Sequence, residues 1–144
     1  MSNDEQFGNG KDWILTHSGI HFTPFDPQTM DVRIEDIAHA LSMICRFTGH
    51  TSYHYSVAQH SILVSRMCNP ENALWGLLHD ASEAYLMDIS RPIKRHPGME
   101  TYRKAEASVM VAVCARYGLD VDMPEDVHLA DNDALILEKS HFFP

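Results

Sequence analysis

The chain has 144 residues, 44% of them hydrophobic, and a formal charge of −9 with histidine neutral. That length favours one domain, residues 1–144, around one core. The acidic balance argues against general nucleic-acid binding, which needs a basic face, and no apolar run is long enough to span a bilayer.

The start, MSNDEQFGNGKDW, is polar and acidic and lacks the apolar stretch of a signal peptide, so a cytoplasmic location is expected. Residues 1–12 read as a flexible tail. Up to residue 30 the chain is rich in Gly, Pro, Asp and Thr and reads as irregular, with a short strand around Ile20–Phe22. The pattern is helical from there on. Ile34, Ile37, Ala38, Leu41 and Cys45 share one helical face, with Glu35 and Asp36 in the first turn, where the helix dipole favours them. GHTSYHYS breaks the pattern as a loop. A second helix runs from about Val57 to Cys68 with Val57, Ser61, Val64 and Cys68 in register. Asn69-Pro70 signals the start of a third, reaching about Met87 and burying Leu74, Leu77, Leu78, Ala81 and Tyr85.

Ser90-Arg91-Pro92 and His96-Pro97-Gly98 mark a loop. A long helix then spans about Met99 to Tyr117, stopped by Gly118, and Pro124 opens a last one to about His141. Five helices with short connections predict an all-α, bundle-like domain. Cys45, Cys68 and Cys114 are widely spaced, show no CxxC, and read as reduced thiols.

The chemistry concentrates in His79-Asp80, with His60 upstream and Asp131 downstream. Two imidazoles and two carboxylates suffice as a shell for one divalent metal, with zinc, cobalt, manganese and iron the candidates. On a helical wheel His79, Asp80, Glu83 and Gly76 fall opposite the apolar stripe, where an ordinary solvated face would also put them. His60 lies between Val57, Val64 and Met67 and faces inward. Asp131 shares a face with Val127, Ala130, Ala134 and Glu138, and two inward carboxylates need charge compensation. Lys139 is the last helix's cation and points elsewhere, so a metal shared with His60 answers the need. Asp133 is a rival to Asp131, but lies about 200° away around the helix.

YSVAQHS, LLHDASE and LADNDALILE resemble the H…HD…D signature of the HD-domain phosphohydrolase superfamily. HDASEAYLMDISRPIK is similar to the bacterial 5′-deoxynucleotidase branch. IEDIAHALSMICRFTGHTSYHYSVAQHSILVS is similar to small phage HD proteins, some of which hydrolyse deoxynucleoside triphosphates, dATP included. The resemblance covers residues 12–141. It implies an HD-domain fold with His60, His79, Asp80 and Asp131 as metal ligands, and Glu83 and Asp88 as the acidic pair beside the metal, with Asp88 placed to handle the water proton; in the expected mechanism either Asp88 or Glu83 accepts it. It also implies Arg46 at the substrate phosphate or sugar and Lys94 near the phosphate. Trp13, Ile14, Phe22 and Phe25 are candidates for an apolar wall at the nucleobase, since the matching segment lies near the substrate in related phage enzymes, or else they pin the irregular segment to the core, the commoner role of such aromatics. A homo-oligomer is implied as well.

The expected reaction is hydrolysis at the 5′ ester of the α-phosphate, releasing a deoxynucleoside. The substrate is a deoxynucleoside triphosphate, with Mg2+ carried in on its phosphates, or else a monophosphate. A nucleotide sensor without turnover is the alternative of another class. His50 and His54 flank a loop and are further candidates, while Arg91 and Arg95 read as solvated loop cations.

Overall fold

The structure, a computed structural model, describes residues 12–144. All of the expected tail except Asp12 lies outside the described residues. The fold is all-α, preceded by a small hairpin in which β1 (Ile14–Leu15) pairs antiparallel with β2 (His21–Phe22). Only β2 was foreseen, since a two-residue strand carries no readable period. Phe22 is fully buried and stacks on Tyr85 at 3.8 Å, which pins the hairpin to the core. Phe25 is 70% exposed.

The next element is α1 (Ile34–Met43). Of its expected stripe, Ile37 and Leu41 are buried, but Ile34 and Ala38 are exposed. Cys45 lies beyond the helix, in a bridge opposite Ser56. The face is rotated because Asp36, 2% exposed, is drawn inward. Ser18 donates to its two oxygens, from N at 2.6 Å and from Oγ at 2.7 Å.

Burial raises the Asp36 carboxyl, but the Ser18 hydrogen bonds outweigh it and hold the group below its ordinary value. A depressed folded-state pKa means that this stabilisation is present above the unfolded value and lost as pH falls through the folded one. Asp36→Ala is therefore expected to cost about 2–3 kcal/mol near neutral pH, by the usual worth of hydrogen bonds to a charged group. In urea melts from pH 7 down to pH 3, the gap from the unaltered chain should shrink. A gap that is constant with pH would refute this account.

In α2 (Val57–Met67), Ser56 and Gln59 form a reciprocal capping box. Val57, Ser61, Val64 and Cys68 are buried as expected. The single helix expected from Pro70 to Met87 is instead interrupted. A 3-10 turn at Pro70–Asn72 leads into α3 (Ala73–Leu78), and α4 (Glu83–Leu86) follows. Asn69 makes no side-chain cap; Asp126 accepts from its backbone N and from Asn72 Nδ2.

Between α3 and α4 the backbone bonds tighten to three-residue spans, Ala81 N to the Leu78 carbonyl and Glu83 N to that of Asp80. A turn of three residues advances the side chains differently from one of 3.6. Glu83, which follows this stretch, points inward and is 6% exposed. His79, directly after α3, falls on the same face as buried Trp75 and Leu78 and is also 6% exposed, whereas Leu74, expected to be buried, is 45% exposed. Gly76 lets α3 approach α2 closely, because a Cβ there would meet Cys68 Sγ at 2.9 Å.

The expected loop after Ser90 contains a helical turn, α5 (Arg91–Lys94), with Pro92 in its first turn. Next comes α6 (Glu100–Tyr117), which ends at Gly118 with φ 68°. The last helix, α7 (Glu125–Phe142), buries Val127, Ala130, Ala134, Glu138 and Phe142. One apolar cluster joins Phe22, α1 and α6, and a second joins Trp75, Cys114 and α7. All three cysteines are free. Among the described residues no helix is long and apolar enough to cross a membrane.

Candidate metal centre

His60 comes from the middle of α2, His79 and Asp80 from the tightened stretch after α3, and Asp131 from α7. His60 Nε2 lies 3.2 Å from His79 Nε2 and 3.0 Å from Asp131 Oδ1, and His79 Nε2 lies 3.6 Å from that oxygen. Ligands at the usual zinc distances are separated by about 3.3 Å around a tetrahedral ion. Among the described residues His60, His79 and Asp131 bring their ligand atoms within 4.8 Å of one another. Asp80 Oδ2 lies beside this trio, 3.2 Å from His79 Nε2 and 3.5 Å from His60 Nε2. Asp133 is exposed, so the helical phase argument for Asp131 holds.

The far side of each ring tests the fit to a cation. His60 Nδ1 is 3.0 Å from both Glu138 oxygens, and His79 Nδ1 is 2.6 Å from the Gly76 carbonyl. Each Nδ1 is thus committed as a donor, and each Nε2 is turned toward the carboxylates. Metal-binding histidines are held by such outer partners.

Burial disfavours charge on both rings, but the carboxylates around them prevail: Asp131 and Glu138 raise His60, and Asp80 and Asp131 raise His79. Burial likewise raises the two acids, and the imidazoles overcome it, holding Asp80 at about 2 and Asp131 well below the carboxylate range. The cluster therefore favours positive charge at its centre. The donor set fits a divalent transition ion.

Glu138 needs no metal to satisfy it. Arg46 Nη2 donates to its Oε1 at 3.2 Å, and the His60 ring contacts both oxygens. The metal expected to compensate both inward carboxylates is therefore not needed for Glu138: Arg46 and His60 meet it instead. Its place two turns after Asp131 on one face was the available signal.

A cavity of about 600 Å³ opens beside the cluster, lined by Arg46, Asp80, Glu83, Asp88, Lys94 and Asp131 among others. Six of the chain's 11 Lys and Arg line it: Arg46, Arg91, Lys94, Arg95, Arg103 and Lys139. Against the four acids of the same wall, Asp80, Glu83, Asp88 and Asp131, this leaves a small excess of positive charge in a chain of net charge −9.

Arg91 and Arg95 are exposed, as expected of solvated loop cations, and stand at the rim of this wall; Lys139, expected to point elsewhere, lines it too. These three have no ion pair among the described residues, whereas Lys94 pairs with Glu106 at 2.8 Å. Arg103 donates to the carbonyls of Lys94 and His96, fixing α5 against α6.

Burial, reinforced by Asp80 and Asp88, pushes the Glu83 carboxyl up to about 10. Its Oε2 is buried with no hydrogen-bond partner among the described residues. Burial also raises Asp88, with Arg46 pulling back toward the charged form. Burial therefore favours the neutral form of Glu83. Trp13 and Ile14 do not line the cavity; Trp13 stacks on His21 at 3.7 Å in the hairpin. Phe22 and Phe25 are not in the wall either. His50 is exposed, and His54 Nε2 lies 3.3 Å from the Ser42 carbonyl.

Over 127 residues the chain is 42% identical to YfdR of Escherichia coli, a match covering 88% of this chain and 70% of YfdR. The chain belongs to the YfdR family. A second relative, from Rhodobacter capsulatus, is 37% identical over 127 residues, covering 82% of this chain and 64% of its own length. Both relatives of this family are named as uncharacterized proteins, and both are longer than the matched region. No family model matches the chain.

Proposed function

We propose that the protein is a metal-dependent phosphohydrolase of the HD-domain superfamily. It cleaves the bond between the 5′ oxygen and the α-phosphorus of deoxynucleotides, with deoxynucleoside triphosphates, dATP among them, as substrates. One observation carries the reading: two imidazoles fixed with Nε2 toward two carboxylates, beside a cavity walled by six cations. The resemblance of YSVAQHS, LLHDASE and LADNDALILE to the superfamily's signature supports it.

His60, His79, Asp80 and Asp131 would hold the ion, which when bound supplies Lewis acidity and a water ionised near neutral pH. Arg46, anchored by Glu138, presents its guanidinium to charge on the transferring phosphoryl group. Asp88 faces the cavity and is the proton acceptor of the acidic pair. Glu83, holding its proton, donates a hydrogen bond into the cavity. The products are the deoxynucleoside and triphosphate.

A matrix of metals against nucleotides, with product identification, tests this. Deoxynucleoside plus tripolyphosphate is expected, and no nucleoside from any combination would end the proposal. Orthophosphate from monophosphates alone would replace it with a 5′-deoxynucleotidase.

The unpaired cations Arg91, Arg95 and Lys139 favour the longer phosphate chain. Replacing both Arg91 and Arg95 by alanine is expected to raise KM for dATP about tenfold at low salt, less at high salt, because exposed charges are screened. KM for dAMP should move less than twofold. Equal shifts for both substrates would refute this role.

A further inference from the structure

The loop after Arg46 makes a turn of the wrong hand. Phe47, Thr48 and Gly49 have φ of 56°, 54° and 75° in succession. The turn is closed by Gly49 N donating to the Arg46 carbonyl and His50 N to that of Phe47. L-residues resist this region, and for a β-branched residue it is a true outlier. Gly49 suits its place. Phe47 gains contacts that offset its cost: the Arg46 guanidinium lies 4.9 Å from its ring centre, and Phe143 meets it edge-on at 5.2 Å.

Thr48 has no such return. It is exposed and makes no hydrogen bond or ring contact among the described residues. It lines the same cavity as Arg46, Asp80 and Asp131. Nothing among the described residues repays a threonine over a glycine here, and strain of this kind gathers at ligand sites.

We propose that Thr48 is a specificity-determining residue whose hydroxyl hydrogen-bonds the neutral part of the ligand, the sugar or base edge of a nucleoside. The cations of the wall meet phosphate, so a neutral hydroxyl fits the uncharged moiety. This rests on the reading of the cavity as a nucleotide site, but not on turnover.

The test uses two inert probes, a deoxynucleoside (the best bound of the four common ones) and orthophosphate, titrated by calorimetry into the full chain. Thr48→Gly is expected to melt about 2–4 °C higher, because strain is released. It should bind the deoxynucleoside about five- to tenfold more weakly, with orthophosphate affinity moving less than twofold. Thr48→Ser should recover most of the affinity, whereas Thr48→Val, which keeps the shape without the hydroxyl, should not.

A Thr48→Gly chain that melts lower, or binds the deoxynucleoside as the unaltered chain does, overturns the proposal. So does a Thr48→Val chain with full affinity, or an unaltered chain that binds none of the four nucleosides. Nucleoside binding without hydrolysis would sink the phosphohydrolase reading and leave this one standing.

Discussion

Asp80→Ala is expected to lower turnover more than about 100-fold, beyond what the loss of an outer partner of a metal ligand produces. Bound divalent metal should fall in the same variant. Asp80 Oδ2 lies within 3.5 Å of both imidazole Nε2 atoms and 3.9 Å from Arg46 Nη1, so its removal strikes the ion and the phosphate-facing cation together. Its side chain is 21% exposed, so the fold does not depend on it as on a core residue.

Metal analysis and circular dichroism on the purified variant, alongside the nucleotide assay, separate the outcomes. Unchanged turnover with metal lost would remove the mechanism. Unchanged metal with unchanged turnover would remove Asp80 from the ligand set. A purely structural metal predicts a third pattern, in which chelation lowers the melting point of a protein that never hydrolysed anything.

His60 and Asp131 were legible as inward-facing because they sit on helices whose apolar period is clear. His60 is fixed between Val57 and Val64, and Asp131 between Val127 and Ala134. The phase of α7 alone distinguished Asp131 from Asp133. Reading failed at α3 in its choice of apolar stripe: Leu74 is 45% exposed, and the buried face is that of Trp75 and Leu78, which carries His79 with it. Glu83 follows a stretch in which the backbone tightens, and there a wheel at 3.6 residues per turn no longer applies.

The cavity wall was harder still to foresee. Arg91 and Arg95 are four residues apart, but the helical turn that aligns them is four residues long, with Pro92 inside it and Pro97 soon after. Glu138 was visible as an inward carboxylate. Its partner Arg46 is 92 residues away and just outside a helix, a pairing that no local pattern encodes. Trp13 and Ile14 were assigned to the wall by resemblance, and the hairpin places them elsewhere.

Glu138→Ala is expected to destabilise the metal-depleted chain by about 3–5 kcal/mol, the cost of leaving a buried charge uncompensated. For a domain of this size that is a fall of roughly 10–15 °C in melting temperature. The side chain is 1% exposed, and its loss strands both the Arg46 guanidinium and His60 Nδ1. Burial raises the Glu138 carboxyl, but His60 and Arg46 outweigh it and hold the group below its ordinary value. The stabilisation therefore exists above the unfolded glutamate pKa and disappears as pH falls through the folded one.

Glu138→Gln divides the two duties. Its amide oxygen still accepts from His60 Nδ1 but carries no charge for Arg46, so the stability loss should be about 1–3 kcal/mol. Because a neutral amide makes His60 a poorer ligand, metal affinity should fall about 10- to 100-fold. Urea unfolding of the metal-depleted proteins, with competitive metal titration of the folded ones, measures both. If Glu138→Ala unfolds at the same urea concentration as the unaltered chain, the charge cluster around His60 is not holding α7 to α2, and Glu138 loses its role as the residue that sets the imidazole.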